Sequence, residues 1–405
     1  MLPKGWIDGR VGDLIQGLES GVSVNGEDRA LKGTEKGVLK VSAVSYGRFD
    51  PNAVKAIISN SELKRAKTHP RKGQIVISRS NTEELVGASA YVEEDYLDLF
   101  LPDKLWQIEP EQNVCMKWLS YILASDHSRY VLSNLATGTS GSMKNITKGE
   151  FLGLKIAIPP LAEQRKIAKI LGTWDKAIAT TEKLIEVSKQ QKKALMQQLL
   201  TGKKRFAEFE GEWQTVGFGD VVSISSKKYN PSKSSECFTC IELEHITKDT
   251  GRLIGAAKAS DLASIKNHFS AGSVIFGKLR PYLRKFARPS FDGVCSTEIW
   301  VFNSSEKLLN EYLFHLVQTD KFISEANKSA GSKMPRADWS LVSEVVIKLP
   351  SREEQKKIAT VLSSADSELE HLQTKLANLK QEKKSLMQQL LTGKRRVNVE
   401  AEEAA

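Results

Sequence analysis

The chain has only four cysteines among 405 residues, too few for the disulfide framework of a small secreted protein. It also lacks any apolar run close to the roughly 20 residues that a membrane-spanning helix needs. The amino-terminal stretch MLPKGWIDGR has no apolar core of the kind found in secretory signals. These absences exclude a disulfide-stapled or membrane-spanning protein and favour the reducing cytoplasm as the compartment.

Several motifs of catalytic proteins are missing as well. No G-x-x-x-x-G-K-[ST] string is present, which argues against an ATPase, and no G-x-G-x-x-G follows a strand-like run. No Asn-Pro-Pro or Asp-Pro-Pro loop of the kind that amino-methyltransferases use occurs. We therefore predict no catalytic residue in this chain and no methylation by the chain alone.

Two short strings imitate functional sites. Asp50, with Glu62 and Lys64, resembles a nuclease E-x-K arrangement, but similar strings occur inside predicted helices. Cys237 and Cys240 form a single C-x-x-C in a strand-like run, so buried thiols fit better than zinc bound with His245 or His268. We predict no metal ligand from either string.

Basic residues are in excess, with 59 Lys and Arg against 49 Asp and Glu and a formal charge of +10. This balance favours a polyanionic partner such as nucleic acid.

One nine-residue string, LMQQLLTGK, occurs twice, at residues 195–203 and 386–394. The sequence around the two copies also matches, at a constant offset from residue 121 onward. Upstream of residue 121 the two halves of the chain match less well, and the offset between them varies. The chain is therefore a duplicated unit, in which a variable block is followed by a constant block. The same offset of 191 residues pairs EQRKIA at Glu163 with EQKKIA at Glu354, Pro159 with Pro350, Met143 with Met334, and Tyr121 with Tyr312.

Each constant block predicts a long helix that begins after a proline turn, IPPLAEQ or LPSREEQ, and ends at Thr-Gly followed by cations. Residues spaced alternately three and four apart form a mainly apolar heptad stripe along each helix, in identical phase. A stripe sustained over more than four heptads predicts a partner helix. The first stripe is Ile167, Leu171, Trp174, Ile178, Thr181, Ile185, Ser188, Lys192, Leu195 and Leu199, and the second is Ile358, Leu362, Ala365, Leu369, Leu372, Leu376, Leu379, Lys383, Leu386 and Leu390.

The two stripes predict that the helices pair with each other as one antiparallel coiled coil about 50 Å long. A parallel pairing would need a long return connection that the sequence lacks. The alternative, in which each helix covers only its own domain, fits less well with stripes of this length.

Each variable block mixes short β-branched runs with Gly, Pro and Asn turns and helical segments, which predicts an α+β domain. Residues 63–80 and 278–288 are rich in cations and contain no acid, as suits phosphate binding, and polar residues after the first stretch are suited to contact base edges. The predicted DNA-binding residues are Lys64, Arg65, Lys67, Arg71, Lys72, Arg79, Ser80, Asn81, Lys278, Arg280, Tyr282, Arg284, Lys285 and Arg288.

The sequence resembles the specificity subunits of type I restriction-modification systems along essentially its whole length. IAIPPLAEQRKIAKIL with LMQQLLTGKKRF, and VIKLPSREEQKKIATVL with LMQQLLTGKRRV, are similar to the two constant regions of that family. GSVIFGKLRPYLRKFARPSFDGVCSTEIWVF and KGQIVISRSNTEELVG are similar to strand segments of its target recognition domains.

The resemblance implies two α+β target recognition domains separated by two long helices in an antiparallel coiled coil, with a pseudo-two-fold internal repeat. Each domain would read one half of a bipartite asymmetric DNA site. The coiled coil would set the spacing, with its adjustable region at residues 199–203, and would dock methyltransferase subunits. The implied boundaries are 1–157 for recognition domain 1, 158–205 for the first constant helix, 206–348 for recognition domain 2, 349–396 for the second constant helix and 397–405 for a flexible tail.

The resemblance also implies partners and cofactors. Double-stranded DNA and two modification subunits would bind the chain, and two restriction subunits would join them. The chain itself would be non-catalytic and hold no cofactor, whereas S-adenosylmethionine, ATP and Mg²⁺ would be bound by partner subunits. The assembled complex would be an adenine-specific DNA methyltransferase and, with restriction subunits, an ATP-dependent endonuclease.

Two other functions stay open on the sequence alone. One is a basic coiled-coil scaffold protein without sequence-specific DNA binding, and the other is a self-sufficient nuclease or methyltransferase.

Overall fold

The computed structural model describes residues 2–140, 143–234, 236–328 and 334–399. The chain forms two compact units: unit 1 comprises Met1–Thr180 and Leu376–Ala405, and unit 2 comprises Thr181–Lys375. Each unit therefore holds one predicted recognition domain and half of each constant block. Residues 400–405 of the predicted flexible tail lie outside the described residues. Within the described part of the chain, no helix has both the length and the apolar character to cross a bilayer.

Unit 1 contains an α+β domain. Its helices are α1 Asn60–Arg65, α2 Met116–Ala124, α3 Asp126–Leu135, α4 Lys148–Leu152 and the long α5 Leu161–Leu199, which continues into unit 2. Its strands are β1 Ile7–Arg10, β2 Ile15–Ser20, β3 Gly37–Leu39, β4 Val44–Ser45, β5 Arg48–Phe49, β6 Val54–Ala56, β7 Ile75–Ser78, β8 Ser80–Asn81, β9 Ser89–Tyr91, β10 Leu99–Phe100, β11 Leu105–Pro110, β12 Thr137–Ser140, β13 Met143–Asn145 and β14 Lys155–Ile158.

The central sheet of this domain has the strand order β2-β11-β7-β9. Strand β7 is buried along its whole length, as expected for a β-branched strand covered on both faces. Its side chains alternate between two cores. Ile75 and Ile77 join the larger core with Trp118 of α2, whereas Val76 joins a smaller core.

Unit 2 repeats this architecture. Its helices are α6 Phe218–Val221, α7 Asn310–Leu316, α8 Asp320–Ala326, α9 Trp339–Ser343 and the long α10 Arg352–Leu390, which continues into unit 1. Its strands are β15 Gln214–Gly217, β16 Val222–Ile224, β17 Lys228–Tyr229, β18 Thr239–Ile241, β19 Ala257–Lys258, β20 Lys266–Phe269, β21 Val274–Gly277, β22 Phe286–Ala287, β23 Gly293–Cys295, β24 Ile299–Ser304 and β25 Val346–Leu349.

The central sheet of unit 2, β16-β24-β21-β22, has the same order as its counterpart in unit 1. Gly277 of β21 pairs with Ile299 just as Ser78 of β7 pairs with Leu105, so β21 is the counterpart of β7. Phe276 faces one core and Ile275 the other, which reproduces the alternation in unit 1. The duplication inferred from the constant blocks therefore extends through the variable domains.

The long helices run antiparallel within each unit. In unit 1, Glu163 accepts from Arg396 Nε at 3.0 Å, and farther along α5, Asp175 pairs with Lys383 at 2.6 Å. The residue number rises along α5 while it falls along α10, as antiparallel pairing requires.

Unit 2 contains the counterparts of both ion pairs. Lys192 pairs with Asp366 at 2.5 Å, and Arg205 pairs with Glu354 at 2.7 Å. The predicted fold class, two α+β domains with two long antiparallel helices and an internal repeat, is confirmed.

The heptad stripes lie on the covered sides of both helices, and none of their members is exposed. At the ends of the helices the stripe residues enter the core of a domain: Ile167, Leu171, Leu386 and Leu390 in unit 1, and Leu195, Leu199, Ile358 and Leu362 in unit 2. Thr181, Ile185, Ser188 and Lys192 are buried, whereas Trp174, Ile178, Ala365, Leu369, Leu372, Leu376, Leu379 and Lys383 are half-buried.

Candidate nucleic-acid interface

The predicted DNA-binding residues flank the counterpart strands β7 and β21. A glycine with positive φ precedes each strand, Gly73 at 82° and Gly272 at 78°. The backbone N–H before each glycine donates to an aspartate at 2.8 Å, from Lys72 to Asp95 in unit 1 and from Ala271 to Asp292 in unit 2. The turns that precede β7 and β21 therefore share one backbone geometry, although their side chains differ.

Most of the first basic segment lies before β7. Lys64 and Arg65 end α1, and Lys67, Arg71 and Lys72 lie in the following turn, where all five side chains are exposed. The three lysines form no ion pair with any described residue. The two arginines are paired, Arg65 with Glu62 at 3.1 Å and Arg71 with Glu19 at 3.0 Å.

The remaining members of the first segment lie at the end of β7. Arg79 Nε donates to the carbonyl of Asp103 at 2.8 Å. Asn81 Nδ2 donates to Ser78 Oγ at 3.1 Å, so its amide already has a partner inside the domain. Ser80 is 3% exposed, which argues against direct contact with a base and assigns it a packing role.

Three of the five cations of the second segment are engaged inside unit 2. Arg284 Nε lies 2.8 Å from Asp249, and its Nη1 lies 3.0 Å from Asp320. The other two follow the same pattern, with Lys285 Nζ donating to the carbonyl of Leu243 at 2.6 Å and Arg288 pairing with Glu311 at 2.9 Å. These side chains hold the turn together, so they are less available to phosphates than the prediction assumed.

The second segment still presents a solvent-facing group at the end of β21. Arg280 and Tyr282 are exposed, and Lys278 is half-buried without an ion pair to any described residue. Arg280 and Arg284 have φ of 51° and 49°, so the short turn between them has left-handed backbone at both ends.

Both domains have predicted DNA-binding residues at the end of the counterpart strands β7 and β21. By the register of β7 and β21, Arg79 corresponds to Lys278 and Asn81 to Arg280. Ser80 pairs with Asn145 of β13, and Leu279 forms a bridge to Arg336, which lies 191 residues after Asn145. We call this region the strand-end surface. Its members in unit 1 are Arg79, Asn81, Met143 and Lys144, and in unit 2 they are Lys278, Arg280, Met334 and Arg336.

The sequence prediction missed Lys144, Arg336 and the two methionines as members of this surface. Met143 and Met334 are each 47% exposed, and the offset of 191 residues that pairs them was the available signal. By contrast, residues 64–72 precede β7, and their one basic counterpart among the lysines and arginines before β21, Lys266, is buried.

The two strings that imitate catalytic or metal sites have structural partners. The carboxylate of Glu62 accepts from the backbone N–H of Asn25 at 3.0 Å and from Arg65, so it braces α1. Cys240 is buried, and burial raises the pKa of its thiol to about 11, whereas Cys237 is exposed, contrary to the prediction that both are buried. The His245 ring accepts from the backbone N–H of Glu242 at 3.0 Å.

The framework and its two dissimilar strand-end surfaces can be compared with known proteins. A family model described as the type I restriction modification DNA specificity domain matches residues 3–189 and again residues 210–381. The two matches coincide with the two copies of the repeat. The chain belongs to this family.

Type I specificity subunits are also found among its relatives. The MjaVIII specificity subunit from Methanocaldococcus jannaschii is 29% identical over 293 residues, which are 65% of this chain and 68% of the relative. The EcoDI specificity subunit from Escherichia coli is 25% identical over 255 residues, which are 55% of this chain and 57% of that relative.

A solved structure shares the fold. The S subunit of the type I restriction-modification system from M. genitalium matches with a TM-score of 0.63 at 16% identity, over 96% of this chain and 99% of that chain. The resemblance to specificity subunits predicted from the sequence is thus confirmed. Members of this family are non-catalytic and serve DNA recognition within a restriction-modification complex.

Proposed function

We propose that this specificity subunit reads a bipartite, asymmetric DNA sequence, with each α+β domain recognising one half. The observation that carries the proposal is the pair of strand-end surfaces, which sit on equivalent backbone but present different side chains. Unit 1 offers Arg79 and Asn81 where unit 2 offers Lys278 and Arg280, and it has Asn145 where unit 2 has Arg336. Two different surfaces on one framework suit two different half-sites.

In this mechanism the exposed cations bind phosphates and fix the register, while the side chains that reach base edges give sequence choice. Arg280 is suited to guanine, because a guanidinium can donate two hydrogen bonds to the O6 and N7 atoms. Tyr282 and the two exposed methionines provide apolar contact beside the cations. Much of the affinity would come from phosphates, so binding should fall steeply as salt rises.

The long helices would fix the distance between the half-sites and dock two modification subunits, with two restriction subunits added in the full complex. Modification subunits would supply S-adenosylmethionine and methylate adenine flipped out of the duplex. Restriction subunits would supply ATP-dependent cleavage with Mg²⁺. We place this assembly in the cytoplasm, and this chain contributes the recognition surfaces and the helices.

Fluorescence anisotropy with duplex DNA distinguishes this function from that of a basic scaffold protein. With modification subunits present at physiological salt, the specificity subunit should prefer one gapped duplex over shuffled competitors by at least about 10³-fold. Equal affinity for all duplexes would favour the scaffold. Binding of Mg²⁺ or S-adenosylmethionine by the purified chain, measured by calorimetry, would favour a self-sufficient enzyme.

A further inference from the structure

A buried glutamine lies under the basic turn of unit 1. Gln107 is in the middle of β11, between Trp106 and Ile108, and is 0% exposed. Burying a primary amide is costly unless its donor and acceptor groups find partners. Both partners of this amide belong to the backbone of the turn before β7: Gln107 Oε1 accepts from Arg71 N–H at 3.1 Å, and Gln107 Nε2 donates to the His69 carbonyl at 3.0 Å.

Other groups hold the same turn at nearly every residue. Thr68 Oγ1 donates to Glu19 Oε1 at 3.0 Å, and the Lys72 N–H donates to Asp95 at 2.8 Å. The His69 ring bonds the Leu99 carbonyl at 2.9 Å and contacts the Phe100 ring at 4.3 Å between centroids. The backbone of residues 68–72 is therefore fixed to the sheet, while the side chains of Lys67, Arg71 and Lys72 are exposed.

Unit 2 lacks the glutamine and has no exposed lysine or arginine in the equivalent turn. The counterpart of Gln107 by strand register is Val301, which is 2% exposed and packs in an apolar core. Ser270 and Ala271 replace Arg71 and Lys72 in the turn before β21. Lys266, the counterpart of Lys67, is buried and paired with Glu242 at 2.5 Å. In unit 2 an apolar residue therefore occupies the strand position of Gln107, and the turn before β21 has no exposed lysine or arginine for it to position.

We propose that residues 67–72 form a phosphate-binding turn found in unit 1 alone, and that Gln107 is the positioning residue that holds it. The inference rests on the proposed DNA-binding function and deepens it, because the two domains then contribute unequally to affinity. A turn fixed before binding loses little conformational entropy when its lysines meet phosphates. Gln107 contacts no DNA, so it acts only through the turn.

The test uses the full chain and a random-sequence duplex, because phosphate contacts do not depend on the target. Anisotropy across a salt series gives the slope of log affinity against log salt. The double variant Lys67→Ala/Lys72→Ala should reduce the magnitude of that slope by about 1.8, since each phosphate contact contributes about 0.9. Gln107→Val, which introduces the residue that unit 2 has and removes no charge, should reduce it by at least about 0.9.

Two further variants separate positioning from general damage. Adding Gln107→Val to the double lysine variant should reduce the slope by less than Gln107→Val alone does, because the glutamine acts through the turn and the turn has already lost two of its three exposed cations. Should Gln107→Val fold poorly, Thr68→Val loosens the same turn with an isosteric side chain and should also reduce the slope. Lys155→Ala/Lys356→Ala, which removes two exposed lysines outside the predicted DNA-binding residues, should retain the wild-type slope.

Three outcomes would overturn the inference. Wild-type slope and affinity for Gln107→Val, together with faster hydrogen exchange at the Arg71 amide, would show that the glutamine is only structural. A double lysine variant that matches the Lys155→Ala/Lys356→Ala control would remove the turn from the interface and leave the proposed function standing. A wild-type chain that binds no duplex at low salt would remove the proposed function itself.

Discussion

Replacing Asp366 by alanine should leave the ammonium group of Lys192 buried without its carboxylate. Lys192 Nζ lies 2.5 Å from Asp366 Oδ1 and 2.9 Å from Gln318 Oε1, and its side chain is 10% exposed. Burial raises the pKa of Asp366, although the nearby ammonium acts in the opposite direction. Desolvation of this carboxylate therefore outweighs its attraction to Lys192, so the pair as a whole adds little to stability.

The expected costs of substitution, in free energy of unfolding, follow from this imbalance. Removing one partner of a buried ion pair costs about 3–5 kcal/mol, and the 28% exposure of Asp366 puts Asp366→Ala at the low end, at about 3 kcal/mol. Lys192→Met/Asp366→Leu removes both charges and should be nearly neutral, so this double variant should be about 3 kcal/mol more stable than Asp366→Ala. The matched control is Asp175→Ala in unit 1, where the carboxylate is 40% exposed and the cost should be about 1 kcal/mol.

Hydrogen exchange resolved by peptide is the suitable assay, because a chain with two units need not unfold in a single step. Opening free energies of amides in residues 185–199 and 358–370 report on the paired helices of unit 2. A cost below about 0.5 kcal/mol for Asp366→Ala, or a double variant no more stable than that single variant, would refute the reasoning.

Three other predictions concern the strand-end surface, pH and the helix ends. Arg280→Ala should weaken binding to the preferred duplex by about 1–3 kcal/mol and relax the choice of one base pair, whereas Arg284→Ala should leave the affinity unchanged and speed hydrogen exchange in unit 2; the opposite pattern would place Arg284 at the DNA. Burial lowers the pKa of His315 to about 3, below the value of 6.5 in an unfolded chain. The contribution of the neutral His315 ring to stability is therefore complete above pH 6.5. It is lost as the pH falls, by about 1.4 kcal/mol per pH unit. Urea titrations between pH 7 and 5 should show this loss in wild type but not in His315→Leu, and the exposed His127→Gln should behave as wild type. Gly202 and Gly393 both have φ of 70°, so alanine at either costs about 1 kcal/mol, but at Gly393 the new Cβ would also lie 2.3 Å from Pro3 Cγ. Thermal unfolding should therefore rank Gly393→Ala below Gly202→Ala, and equal midpoints would contradict the close approach of Gly393 to Pro3.

The sequence predicted the helices well because periodicity and duplication both report on them. The proline turns, the repeated LMQQLLTGK and the phase of the stripes locate α5 and α10 to within a few residues. The polar residues of the heptad stripes also reported on the pairing of the helices, because Lys192 and Lys383 lie 191 residues apart and form counterpart ion pairs.

The sequence could not predict which cations are engaged inside the domains. The segments 64–72 and 278–288 contain no acid, yet Arg71 pairs with Glu19 and Arg284 with Asp320, residues that only the fold brings near. A linear window of sequence does not contain those partners. Gln107 was missed for the same reason, because only strand register shows that it lies beneath the basic turn.

Sequencing of DNA methylation in cells that express this chain with its modification subunits tests the central claim most directly. Two different recognition surfaces on a duplicated framework predict methylation within one split, asymmetric motif. Replacing residues 206–348 by the equivalent block of another specificity subunit should then change one half of that motif and leave the other half intact. A continuous motif, or a change in both halves, would contradict the account.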